Sequence, residues 1–321
     1  MKIQQLRYVV EVFRHDNHLS AAADFLNTSQ SGVSKQIQLL EAELGFAVFQ
    51  RNRNRILGLT EPGRRIMEIA QRVIGDFDSL KAVRDEFVTQ DQGSLTIATT
   101  HTPARYILPE IIEKFVGRYP MVKIGLRQGN PTQICEMVEA GDADLAIGTE
   151  TSQPFPNLVR MPCMQLSRCV VAKKGHPILR ARQITLSEIA KYPVITHDPA
   201  FSGRWRVMEA FRRQGLNPQF IFGIVDADVS KAYVERGFGI AILSAVSVDT
   251  KRDAGLQARD VSHLLEPNTA YISIRKNGYF RQFVLDFINQ ISPELTPARV
   301  VSLLNGSLKK TVRLKRDQHI V

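Results

Sequence analysis

Apolar positions recur at helical spacing through residues 3–14, where Leu6, Val9, Val10 and Phe13 form one stripe. Residues 19–45, LSAAADFLNTSQSGVSKQIQLLEAELG, predict two more helices. Ser20 is the candidate N-cap of the first, and Ala21, Ala22 and Ala23 allow close packing. Asn27, Thr28 and Ser29 make the turn, and Gly45 ends the second helix as its C-cap. In that second helix Val33, Ile37, Leu40 and Leu44 recur at 4-3-4 spacing and share one face. Ser31, Ser34, Lys35 and Gln38 fall on the opposite face. Short hydroxyl, amide and amine groups on an exposed helix suit base edges and phosphates in a DNA major groove. The pattern predicts a helix-turn-helix.

The spacing then shortens to period two. Phe46, Val48 and an Arg/Asn tip predict a β-hairpin wing, along which Arg51, Arg53 and Arg55 alternate toward phosphates or the minor groove. A merely soluble hairpin is the alternative. Pro62 suits the first turn of a further helix. From there Ile66, Ala70, Val73, Phe77, Leu80, Arg84 and Phe87 follow a 4-3 alternation, a heptad seam with Arg84 as its misfit. Such a stripe must be buried, against a second copy or against the chain's own fold.

After the polar break Asp91–Gly93 the pattern changes again. Strand-like runs at 95–98, 122–126, 144–147, 167–172, 194–196, 220–225, 238–244 and 271–274 alternate with helical ones at 103–119, 132–140, 203–214, 226–237 and 279–291. This alternation predicts βαβ units and a parallel sheet, as two small lobes or one large sheet.

Composition narrows the class. The net charge of +10 favours a polyanionic partner, although Lys309, Lys310, Arg313, Lys315 and Arg316 cluster at the C-terminus against Asp317 alone and read equally as a solvated tail. Cys135, Cys163 and Cys169 belong to no CxxC pair, so no structural metal site is expected and the sparse count fits a reducing compartment. With no signal peptide and no bilayer-length apolar run in sight, the expected location is cytoplasmic, away from membranes.

Three strand–helix junctions carry hydroxyls: Thr99-Thr100-His101-Thr102-Pro103, Gly148-Thr149-Glu150-Thr151 and Phe201-Ser202-Gly203-Arg204. Ligands of open α/β sheets bind beyond strand carboxyl ends, so the junctions point to a shared anion pocket. Any one of these hydroxyls is equally an ordinary helix cap. His101 invites a catalytic reading, yet no nucleophile, GxSxG, HExxH or P-loop accompanies it, and no catalytic residue is assigned.

The QQLRYVVEV opening, TSQSGVSKQIQLLEAELG and LTEPGRRI resemble the LysR-type transcriptional regulators. IATTHTPARYILP, RYPMVKIGLRQGNPTQI, ADLAIGTE, FSGR and DADVSKAYVERGFGIAILS resemble more narrowly the CysB-like regulators of sulfur assimilation. The resemblance implies an α/β effector domain of two periplasmic-binding-protein-like lobes, preceded by an all-α winged helix-turn-helix and a long linker helix. Its boundaries would be 1–59 for the DNA-binding domain, 60–90 for the dimerising linker and 91–295 for the effector domain. Lobe I would span about 91–163 and 267–295, lobe II about 164–266, with a basic tail from 296.

By resemblance Gln30, Ser31, Ser34, Lys35 and Gln38 approach bases of double-stranded operator DNA, and Thr28, Arg51, Arg53 and Arg55 hold phosphates. Thr100, Thr102, Thr149 and Ser202 line an inter-lobe pocket for sulfate-like anions, with Pro103 standing where the branch usually has Gln and Ser202 where it has Thr. Trp205, one turn from Ser202, is expected to narrow that pocket or to stack on something larger. The implied effector is sulfate, thiosulfate or an O- or N-acetylserine, with no cofactor. The implied partners are DNA, a second copy in a dimer or homotetramer, and RNA polymerase. The expected function is an activator of sulfur-acquisition genes. The rivals are a LysR-type regulator of another small acid, an anion-binding transport module, and an enzyme using His101.

Overall fold

The computed structural model describes residues 1–53, 55–88, 92–276 and 278–306. They form two compact units, Met1–Asp85 and Glu86 onward. The Phe87 side chain, predicted in the seam, and the basic run from Lys309 to Asp317 lie outside the described residues.

The first unit holds α1 (Ile3–Arg14), α2 (Leu19–Phe25), α3 (Gln30–Leu44), β1 (Phe49–Asn52), β2 (Arg55–Leu59) and α4 (Glu61–Val88). Val9, Val33, Ile37 and Leu40 are fully buried in one core with Ala22 and Ala70, each large side chain worth ~1.5–3 kcal/mol by burial. Ser29 caps α3, its Oγ accepting from Gly32 N at 3.1 Å, and Gly45 closes it in the left-handed region at φ 78°. The cap of α2 is His18, so Ser20 lies inside that helix. Phe13 faces outward because the core is already filled by Val9, Val10 and Val12. The hairpin forms, but it starts at Phe49 and leaves Phe46 exposed outside the strand.

The LTEPG stretch shows how local chemistry starts α4. Thr60 Oγ1 donates to Ala47 O at 2.7 Å and accepts from Gly63 N at 2.9 Å. Glu61 and Pro62 fill the first turn, where a carboxylate and a missing N–H are both tolerated. Met67, Ala70 and Ile74 then pack into the helix-turn-helix core. The predicted seam is therefore shared: Ile66, Ala70 and Val73 pack within the chain, while Leu80 is 68% exposed.

The second unit contains β3 (Gly93–Thr99), α5 (His101–Tyr106), α6 (Leu108–Arg118), β4 (Val122–Gln128), α7 (Pro131–Ala140), β5 (Leu145–Gly148), β6 (Leu158–Leu166), β7 (Arg168–Lys173), α8 (Leu186–Ile189), β8 (Val194–His197), α9 (Ser202–Arg213), β9 (Phe220–Ile224), α10 (Ala227–Glu235), β10 (Ile240–Ser244), β11 (Leu256–Asp260), β12 (Asn268–Arg275), α11 (Gln282–Ile291) and α12 (Pro297–Leu304). The strands make two five-stranded sheets, ordered β4-β3-β5-β12-β6 and β11-β7-β10-β8-β9.

Each sheet is mixed, which corrects the expectation of parallel sheets. Parallel pairs β3–β4, β3–β5, β8–β9 and β8–β10 form the βαβ cores. β12 joins β5 and β6 antiparallel, and β7 joins β10 and β11 antiparallel. The chain passes between lobes at β6–β7 and at β11–β12, so each crossing feeds antiparallel strands. The single helix expected over 103–119 is two, divided at Ile107. The tail expected from 296 begins as α12, which buries Val300 and Leu303 against the first sheet's core. Its Thr296-Pro297 start is a capped helix entry that charge-based reading passes over.

Candidate functional site

In the first unit α3 presents Gln30, Ser31, Lys35 and Gln38 exposed and Ser34 half-buried, opposite the buried Val33, Ile37 and Leu40. Ser29 Oγ lies 3.2 Å from Ser31 Oγ, so the cap orients the first hydroxyl of the face. Thr28 is half-buried beside Gly32. The three wing arginines differ. Arg53 sits at the tip with φ 51°, and Arg53 and Arg55 are exposed. Arg51 instead donates to Glu41 Oε2 at 3.3 Å. Glu41 Oε1 also accepts from Val48 N at 2.9 Å and Phe49 N at 3.1 Å, so Arg51 helps pin the wing to α3.

In the second unit a cavity of about 440 Å³, counting the solvent at its open side, lies between the two sheets. Thr100, His101, Thr102 and Pro103 line it from the β3–α5 junction, and Thr149 from the end of β5. His197, Phe201, Gly203, Val225 and Ser244 line it from the second lobe, and Leu166 and Asn268 from the crossing strands. The structure thus gathers four of the five predicted effector residues. Ser202 is buried at the start of α9 between the lining residues Phe201 and Gly203 and is not itself a lining residue. Trp205 is 53% exposed and lines no part of the cavity, because α9 turns it outward.

The polar chemistry of the cavity is unsatisfied. Among the described residues, His101 Nδ1, His197 Nδ1 and Ser244 Oγ are buried atoms without a hydrogen-bond partner, and all three side chains line it. A buried polar group left unpaired costs ~1–3 kcal/mol, so their convergence makes this cavity the candidate ligand site.

Behind the wall lies Arg168, 2% exposed. Its guanidinium donates to Asn268 Oδ1 at 2.6 Å and to the carbonyls of Gly203 and Glu266 at 3.3 Å each. These partners are neutral. Burial, then the charge of Arg206, pulls its pKa down to about 10, which still leaves it a cation at neutral pH. A buried cation answered only by dipoles favours an anion nearby. His197 is pulled the other way from charge: burial first, then Arg168, lowers its pKa to about 4, so its ring is neutral.

Two contact sets join the lobes beside the cavity. Arg206 on α9 donates to Glu150 Oε2 at 2.5 Å, one residue beyond Thr149, and Tyr271 donates to Glu150 Oε1 at 3.2 Å. On the other side His101 Nε2 lies 3.6 Å from Asp228 Oδ2. The Tyr106 hydroxyl donates to Asp228 and accepts from Lys231 Nζ at 3.0 Å, and Lys231 reaches Ser247 O and Asp253 at 2.9 Å. The first and last residues of α5 therefore touch the second lobe, while Thr102 between them faces the cavity.

Sequence reasoning missed Arg168, His197, Val225, Ser244 and Asn268. His197, Val225 and Ser244 sit at or just past the carboxyl ends of β8, β9 and β10, a topological signal that was available. Arg168 and Asn268 are visible only once the crossing strands are known. Among the described residues no His/Cys/Asp/Glu group could hold a metal, and no helix is long and apolar enough to cross a membrane. The three cysteines are buried and form no disulfide; Cys163 Sγ donates to Ala270 O and Cys169 Sγ to Leu243 O.

Two family models match the chain: the bacterial regulatory helix-turn-helix protein, lysR family, over residues 3–64, and the LysR substrate binding domain over 89–296. The chain is 43% identical to the HTH-type transcriptional regulator SsuR of Burkholderia cenocepacia, covering 96% of this chain and 100% of that protein. It is 42% identical to the HTH-type transcriptional regulator CysB of the same organism, covering 95% and 98%. Its fold is similar to the crystal structure of the cofactor-binding domain of the Cbl transcriptional regulator, with TM-score 0.64 and 33% identity over 66% of this chain and 93% of that one.

Proposed function

The chain belongs to the LysR family of DNA-binding transcriptional regulators, in the group of SsuR, CysB and Cbl, which are regulators and not enzymes; on that premise we propose that it controls sulfur-assimilation genes through a small anionic effector held between its lobes. The observation that carries the effector part is the convergence of three orphaned polar atoms and the Thr100, Thr102 and Thr149 hydroxyls in front of a buried Arg168 with only neutral partners. Sulfate, thiosulfate and the acetylserines are the candidate effectors. Each brings the negative charge and acceptor oxygens that hydroxyls and a cationic wall stabilise. Ligand entry would bias the lobe contacts made by Glu150–Arg206 and His101–Asp228, by no more than the ligand's differential affinity for the two arrangements.

At the output end α3 would enter the major groove with Gln30, Ser31, Ser34, Lys35 and Gln38, while Arg53 and Arg55 reach phosphates. The part of the seam left exposed at Leu80 on α4 would pair two copies, and pairs of dimers would make a homotetramer that meets RNA polymerase at the promoter.

Calorimetry with sulfate, thiosulfate and the acetylserines tests the effector. At least one binds the wild type, and Thr102→Ala weakens it by about tenfold, the loss of one hydrogen bond to a charged group. No binding of any of them removes the sulfur effector. Operator titrations test the output: Ser34→Ala with Lys35→Ala weakens specific binding without loss of fold, and undiminished binding removes that assignment.

The second reading is a different small acid. The apolar lining by Pro103, Leu166, Phe201 and Val225 favours an effector with an apolar body, and the same calorimetry with short-chain carboxylates separates the two.

A further inference from the structure

The bond between Arg168 and Asn268 runs from one lobe to the other. Arg168 opens β7 in the second sheet, and Asn268 opens β12 in the first. Arg168 is buried at this crossing, and its Nη2 donates to Asn268 Oδ1 at 2.6 Å. The contact fixes which way the amide faces. A guanidinium carries donors only, so the asparagine oxygen must meet it and the NH2 group must turn away. The reversed amide would set N–H against N–H.

The NH2 group so turned has no hydrogen-bond partner among the described residues, and Nδ2 is not one of the buried unpaired atoms. Asn268 is half-buried and lines the cavity, so this donor is open to whatever enters. It lies beside Gly203, another lining residue: a Cβ there would come within 3.0 Å of Asn268 Nδ2 and 3.2 Å of Arg168 Nη2. Glycine at 203 keeps that approach clear. The hydroxyls of Thr100, Thr102 and Thr149 donate or accept as the ligand requires, whereas Asn268 held in this sense only donates.

We propose that Asn268 donates to an acceptor oxygen of the effector, and that Arg168 is the positioning residue that holds the amide in that sense across the lobe crossing. The contact asks for an unprotonated oxygen, of a sulfate, a carboxylate or a carbonyl, and disfavours an O–H or N–H at that point. This inference rests on the reading of the cavity as the effector site. Because the amide owes its orientation to a residue of the other lobe, the donor is presented in the lobe arrangement that keeps the bond. An effector seated on it favours that arrangement.

Titration calorimetry on the full-length protein tests the contact. Asn268→Ala is expected to bind sulfate at least about tenfold more weakly than the wild type, the loss of one hydrogen bond to a charged ligand. O-acetylserine is the probe if the wild type takes that ligand and not sulfate. Asn268→Asp keeps the bond to Arg168 and turns the donor facing the cavity into an acceptor. Its ratio of hydrogen phosphate to sulfate affinity at mildly alkaline pH is expected to rise at least about tenfold over the wild type, because the two dianions share shape and differ by one O–H. Repulsion by the new carboxylate acts on both dianions alike, and a merely structural asparagine would leave the ratio unmoved. Arg168→Met is expected to weaken sulfate, and adding Asn268→Ala to it to cost less than about twofold more. Arg168→Lys serves the same cycle where the methionine variant does not fold. An undiminished affinity in Asn268→Ala, or an unchanged ratio in Asn268→Asp, overturns the contact and leaves the cavity reading to stand on Thr102→Ala. Additive losses in the cycle overturn the positioning role of Arg168. Binding of no sulfate, thiosulfate, hydrogen phosphate or acetylserine by the wild type removes the cavity reading and this inference together.

Discussion

A Cβ on Gly63 would lie 2.0 Å from the carbonyl oxygen of Val48. The first turn of α4 and the residue just before the wing's first strand are in direct backbone contact there, and no side chain fits between them. The same oxygen also accepts from Thr60 N at 3.0 Å, so it has little room to move.

Gly63 and Gly75 on this one helix should therefore respond oppositely to alanine. Gly63→Ala forces the helix off the wing and is expected to cost ~3 kcal/mol or more. Nothing lies within 4 Å of a Cβ on Gly75, so Gly75→Ala gains the ordinary helix preference of ~1 kcal/mol. Hydrogen exchange across α4 reads both: faster in the first variant by two or more orders of magnitude, roughly fivefold slower in the second. Equal protection in the two variants would contradict the packing.

The wing arginines should separate stability from DNA contact. Arg51→Ala loses the bond to Glu41 and loosens the wing, an effect on the order of 1 kcal/mol for a partly buried pair. Arg53→Ala leaves the unit's stability unchanged and lowers the salt dependence of operator binding by about one phosphate contact. Salt titrations of both variants against a common operator check this. An equal loss of salt dependence in the two would mean that Arg51 also reaches DNA.

The histidine beside the cavity sets an acid limit. His197 has its pKa lowered from 6.5 to about 4 in the fold, so the unfolded chain binds the extra proton. Stability from this group is complete above pH 6.5 and is lost as pH falls toward 4, by up to ~3 kcal/mol. Urea midpoints of the full chain between those limits should decline, and His197→Asn should flatten the decline. A parallel decline in that variant would place the acid sensitivity elsewhere.

Much of the architecture was readable because period and chemistry agreed. Val33, Ile37 and Leu40 are fully buried where their spacing placed them, and Ser29 and Gly45 bound α3 as the polar turn and the glycine implied. The readings failed where pattern was weak. β6 has no strict alternation and carries Pro162, β11 alternates only over the four residues Leu256 to Arg259, and α12 is hidden in front of the basic tail. In the cavity, Thr100, Thr102 and Thr149 announced themselves as hydroxyls at strand ends. Arg168 did not, since a single arginine opening a strand normally reads as solvated, and its burial depends on Asn268 a hundred residues away.

The Gly63–Val48 contact has a mechanical meaning as well. With the wing pressed onto the start of α4, the DNA-reading head has no hinge at its root and turns with the helix. Twenty-eight residues make a rod of about 42 Å, so a tilt of roughly 10° at one end sweeps the other through about 7 Å. That sweep is about two base-pair steps along a duplex, at roughly 3.4 Å each. A helix without slack at its root thus converts a small angular change into a register change on DNA.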